Sequence, residues 1–78
     1  MMTKEEFIKK VKDVAEAIRK EHPELRKGQS IFNVVDIDFD HIARIAQFDY
    51  GIDCFYDDTM IDPFLNKCYE ILSPNENN

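Results

Sequence analysis

Phe7, Val11, Val14 and Ile18 recur at helical spacing near the start of the chain, with Ile8 and Ala15 widening the stripe, and predict an amphipathic helix. Thr3 followed by Glu6 has capping-box spacing, in which the hydroxyl takes an orphan amide and the glutamate reaches back. On the polar face, Glu5, Glu6 and Glu16 each stand four residues before a lysine (Lys9, Lys10, Lys20), the favourable order for ion pairs. Pro23 should end this helix by biasing His22 out of helical geometry. After a connector, Ile31, Phe32, Val34 and Val35 suggest a second helix starting near Lys27 or Gln29. Residues 31–39 also fit a strand, because Val35, Ile37 and Phe39 alternate with Asp36, Asp38 and Asp40. Helix is preferred because no second run of that character exists to pair with a strand.

Asp40 is placed to cap a third helix running through Gln47, with Ile42, Ala43, Ile45 and Ala46 inward and Arg44 outward. Asp49 to Asp58 then reads as an irregular segment around Gly51, anchored by Ile52, Phe55 and Tyr56. The last helix has two candidate starts, Thr59 as cap or Asp62 as cap with Pro63 in the first turn; either carries Ile61, Phe64, Leu65, Cys68 and Leu72 along one stripe. The expected fold is all-α: a compact bundle of three or four short helices with an irregular, aromatic and Asp-rich loop before the last one. The 78 residues allow one core, so 1–72 forms a single domain and 73–78 a frayed tail.

Charge changes the picture. Residues 1–30 hold eight bases against six acids, whereas residues 31–78 hold only Arg44 and Lys67 against ten acids; the chain carries −6 overall. Eight of those ten acids are aspartates between Asp36 and Asp62, interleaved with aromatic rings. This balance disfavours a phosphate backbone as partner, since nucleic-acid binding needs clustered bases; the four near the first corner, Arg19, Lys20, Arg26 and Lys27, make a weak patch beside Glu21 and Glu24. No apolar run has the length of a membrane span, and Met1 leads into a charged helix without a signal-peptide core, so the expected location is the cytoplasm. Cys54 and Cys68 are then expected as reduced, half-buried thiols.

Each candidate site competes with a packing or capping role. Asp36, Asp38 and Asp40 have the opening spacing of a calcium loop, but the sixth position is His41 instead of glycine and the twelfth is Gln47 instead of glutamate. His22, His41, Cys54 and Cys68 lack zinc-finger spacing, and Gly28 and Gly51 are the only glycines, too few for a phosphate loop. No cofactor and no catalytic residue is expected. A weak cation site is conceivable at Asp57, Asp58 and Asp62, whose bland role is to stabilise the N-terminus of the last helix.

At Lys27, Gly28, Gln29, Ile31, Phe32 and Asn33, and again at Asp53 to Asp58, Ile61, Phe64 and Leu65, the chain resembles small bacterial and phage-borne proteins. These share a glycine-glutamine and phenylalanine-asparagine element, then an aspartate-x-phenylalanine-tyrosine segment and a closing helix. That group is functionally uncharacterised and supplies no catalytic residue. The resemblance implies that Gly28, Gln29, Asn33 and the Phe55 to Asp58 segment form one architectural unit, with the Gln29 and Asn33 amides placed to bond the loop.

The leading functional expectation is a small acidic, non-enzymatic interaction module, regulatory or inhibitory, that meets a basic surface of a partner protein through Asp53, Phe55, Tyr56, Asp57 and Asp58. The alternative is a small metal-dependent hydrolase or nucleotide-handling protein with Asp53, Asp57, Asp58 and Asp62 as ligands. Self-association is a further way for so small a bundle to cover apolar surface.

Overall fold

The computed structural model describes residues 2–73, which form four α-helices and one 3₁₀ turn with no strand among the described residues. Helix α1 spans Lys4–Glu21, α2 Lys27–Asp38, α3 Ile42–Tyr50 and α4 Ile61–Leu72, with the 3₁₀ turn at Asp58–Met60. The bundle architecture is therefore as the hydrophobic pattern predicts, and residues 31–39 are helix up to Asp38.

Helix α1 starts where expected. The Thr3 hydroxyl accepts from the Glu6 amide at 3.1 Å, and Glu6 Oε1 accepts from the Thr3 amide at 2.8 Å. These bonds favour the ionised carboxylate and hold Glu6 below its ordinary pKa. Because Glu6 is used here, it forms no bridge to Lys10; the pairs found on α1 are Lys9 with Asp13 at 2.6 Å and Arg19 with Glu16 at 3.4 Å. The helix closes at His22, whose amide donates to Ile18 O, one residue before Pro23.

Helix α2 is the central element and contacts all the others. It runs antiparallel to α1: the buried Ser30 hydroxyl donates to Ala15 O at 2.9 Å near one end, and Phe7 meets Phe39 edge-on at 5.1 Å near the other. Ile31, Phe32, Val34 and Val35 are buried, whereas Ile37, which the strand alternation would place with Val35, is 75% exposed. The core adds Phe7, Val11 and Ala15 from α1, Ile42, Ala43 and Ala46 from α3, and Ile61, Phe64, Leu65 and Cys68 from α4.

Three boundaries differ from the sequence expectation. Asp40 does not cap α3; it takes the left-handed conformation (φ 52°) that ends α2, and the His41 amide folds back to Asp36 O at 3.0 Å. An aspartate tolerates that conformation better than most residues, which suits it to closing one helix as well as to opening another. Ile45 is partly exposed rather than inward, and α3 continues to Tyr50, where Gly51 (φ 67°) terminates it. Neither Thr59 nor Asp62 caps the last helix. Asp57 does the capping: its Oδ1 accepts from the Thr59 amide at 2.9 Å and from the Thr59 hydroxyl at 2.6 Å, opening the 3₁₀ turn that leads into α4. Ser73, assigned to the tail by sequence, is buried and its amide donates to Tyr69 O; 74–78 lie outside the described residues. Among the described residues no helix is long and apolar enough to cross a membrane.

Candidate interaction face

The segment from Ile52 to Asp57 is irregular, and its place is fixed by the first turn of α2. Gly28 is the point of contact. Its amide donates to Asp58 Oδ1 at 2.9 Å, and its carbonyl accepts from the Cys54 thiol at 3.2 Å. The approach is so close that a Cβ on residue 28 would stand 2.1 Å from Cys54 O. One residue before α2, the Arg26 guanidinium donates to Phe55 O. Asp53 holds the loop from the other side, accepting from the Phe55 amide at 2.9 Å and from Gln47 Nε2 at 3.4 Å. Gln29 and Asn33 are not the amides that grip the loop. Gln29 Oε1 accepts from the Arg26 amide at 3.2 Å, supporting its own helix start, and Asn33 is half-buried on the same line of α2.

Aromatic packing continues the anchoring outward. Phe64 stacks on Phe32 with centroids 5.5 Å apart, Phe32 meets Phe55 edge-on at 5.5 Å, and Phe55 meets Tyr56 at 4.9 Å. Phe55 is half-buried and plugs the bundle end, while Tyr56 is 77% exposed at the end of the row. Cys54, which the sequence reading left out of the loop's anchors, is fully buried and is its deepest residue. The alternation of a small buried cysteine between Asp53 and two rings was the available signal.

The clustered aspartates serve separate partners. Asp53 and Asp58 turn inward to backbone and Gln47, Asp57 caps the 3₁₀ turn, and Asp62 faces Lys12 across 3.7 Å. The bonds from Thr59 hold the Asp57 carboxyl below its ordinary pKa. Among the described residues no three histidine, cysteine, aspartate or glutamate side chains are grouped to hold a metal ion. Asp36, Asp38 and Asp40 divide likewise: Asp38 and Asp40 are exposed, and Asp36 is buried with Oδ1 3.1 Å from Arg44 Nε and 3.3 Å from His41 Nδ1. Neither contact is an aligned hydrogen bond, so the charge of Arg44 rather than a directed bond answers Asp36 at this corner.

Both cysteines are free and fully buried rather than half-buried. Burial pushes each thiol up to about 12, with the Asp53 and Asp58 charges adding to the effect at Cys54 and Cys54 adding to it at Cys68. At neutral pH both are protonated and lack nucleophilic thiolate character. The folded protein should therefore consume almost no Ellman's reagent over minutes and two equivalents at once in denaturant; rapid labelling of the native protein would contradict this burial.

The bases of the first corner are partly committed. Arg19 Nε donates to Leu25 O at 3.1 Å and Arg26 holds Phe55 O, leaving Lys20 and Lys27 as the outward members of that patch. A cleft that sequence reading did not anticipate lies between α1, the start of α2 and the 3₁₀ turn, where Lys12, Arg19 and Lys27 face Glu16, Asp58 and Asp62 over Ala15, Ile31 and Ile61. Its charges balance, three against three. No protein-family model, curated protein or solved structure matches the chain.

Proposed function

We propose that the protein is a small acidic, non-enzymatic interaction module of the cytoplasm that binds a basic surface of a partner protein through the loop bearing Tyr56, Asp57 and Asp58. The observation that carries this reading is the exposure of Tyr56 on a loop whose neighbours Cys54, Phe55 and Asp58 are all tied to α2. An aromatic ring presented by a fixed backbone, next to carboxylates, is the composition of a binding anchor with little ordering cost on association. The net charge of −6 adds long-range attraction for a cationic partner, which screening by salt weakens. A regulatory or inhibitory role follows from binding without chemistry. The alternative, a metal-dependent hydrolase, would need Asp53, Asp57, Asp58 and Asp62 to converge on one ion, whereas each is turned to a different partner.

Tyr56→Ser is the clean test, because the side chain is exposed and its removal leaves the Gly28 contacts intact. Replacing Asp57 and Asp58 together would break the cap of the 3₁₀ turn and the bond to Gly28, and so would confuse binding with folding. With the partner captured at low salt and purified, Tyr56→Ser should weaken binding about tenfold or more. Unchanged affinity would remove the loop from the interface.

A further inference from the structure

We propose that the outer face of α3, with the corner that leads into it from α2, is a second docking surface, one that takes a basic amphipathic segment of a protein partner. It shares no residue with the Tyr56 loop and does not depend on that reading. Three apolar side chains stand in solvent along this stretch: Ile37 near the end of α2, 75% exposed, and on α3 Ile45 and Phe48, 38% and 77% exposed and one helical turn apart on one face. On α3 the buried residues are Ile42, Ala43 and Ala46, so Ile45 and Phe48 lie on the opposite side, with Arg44 and Asp49 beside them. Tyr50 belongs elsewhere, since Lys67 Nζ sits 4.6 Å over its ring and ties it to α4.

The charge around these residues identifies the occupant. Asp38, Asp40 and Asp49 are exposed, and none makes an ion pair or a side-chain hydrogen bond among the described residues. Asp13, Glu16, Asp62 and Glu70 each stand beside a lysine or arginine, whereas these three aspartates belong, with Glu5 and Glu21 of α1, to the exposed acids that no base answers among the described residues. Arg44, the one lysine or arginine between residues 28 and 66, is 61% exposed but stands 3.1 Å from the buried Asp36, whose charge it answers. Apolar groups set among unanswered carboxylates suit a segment with an apolar line flanked by lysine or arginine. A second copy docked by this same face would bring like charges together, and an anionic lipid or nucleic-acid surface would be repelled.

The test uses the full chain labelled with ¹⁵N and a synthetic helical peptide of leucine and lysine with one apolar face. A scrambled peptide of the same composition, lacking the face, is the control. Saturable shifts should appear at the amides of Ile37, Asp38, Ile45, Phe48 and Asp49. Phe48→Ser, whose unchanged spectrum elsewhere certifies its fold, should weaken binding about tenfold, and Asp38→Asn with Asp49→Asn should flatten the salt dependence. Tyr56→Ser should change neither, which separates this surface from the loop. The proposal is overturned by equal binding of the scrambled peptide, by shifts confined to residues 53–58, by unaltered affinity of Phe48→Ser, or by concentration-dependent shifts of the same amides without peptide, which would make a second copy the occupant.

Discussion

Gly28→Ala is expected to abolish the folded loop and to cost about 3 kcal/mol or more, comparable with the whole stability of a domain this small. The reason is the kind of atom in the way. The added carbon would stand 2.1 Å from the Cys54 carbonyl oxygen and 2.9 Å from Asp58 Oδ1, and the first of these is backbone, which cannot rotate aside. Relief requires moving the loop off α2. That movement breaks the Gly28 amide bond to Asp58 and the Cys54 thiol bond to the Gly28 carbonyl, and it uncovers a fully buried cysteine. Gly51→Ala makes the informative comparison. Nothing lies within 4 Å of its added carbon, so only the left-handed backbone resists, at about 1 kcal/mol. Urea unfolding of the two variants measures both. A Gly28→Ala midpoint at or above that of Gly51→Ala would refute the close approach of loop and helix.

Phe64→Ala should be as damaging, at about 3 to 5 kcal/mol, and leave the chain mostly unfolded at room temperature. Phe64 is fully buried and its ring backs Phe32, which in turn seats Phe55. A cavity there removes support from the row of rings that ends in Tyr56. Phe64→Leu, which keeps most of the volume, should cost about 1 kcal/mol and keep the fold. In that milder variant, amide hydrogen exchange at Phe55 and Tyr56 should accelerate more than exchange in α1. Uniform acceleration across the molecule would show that the rings do not support the loop in series.

What the sequence made legible was local. The stripe of α1 and its capping box depend on neighbours within a turn or two, and both appear as read. Helix α2 was legible despite its misleading alternation, since an unpaired strand has nowhere to place its backbone groups. The failures share a cause, which is that one residue type serves two local geometries. Aspartate favours opening a helix but also tolerates the left-handed conformation that closes one, and at Asp40 the path of the chain between α2 and α3 decides. Asp53, Asp57, Asp58 and Asp62 crowd together in the sequence, yet the loop and the 3₁₀ turn direct them to different partners. The contact of Gly28 with Cys54 spans 26 residues and leaves no periodic trace. Phe48 was legible in principle, because it stands opposite Ile42, Ala43 and Ala46 once α3 is drawn as a helix.

The anchoring of the loop also orders the events of folding. Helices α1 and α2 are consecutive and antiparallel, so their pairing can start from the 15-residue separation of Ala15 and Ser30 and extend outward to Phe7 and Phe39. The bonds that seat the loop join residues 26, 28 and 28 to residues 55, 54 and 58, separations of 29, 26 and 30. They cannot form until α3 has reversed the chain and brought the segment back to the start of α2. The Tyr56 surface is thus expected among the last parts to appear, and a nascent or partly unfolded chain would display helices without displaying that surface. Binding through it would report completion of the fold.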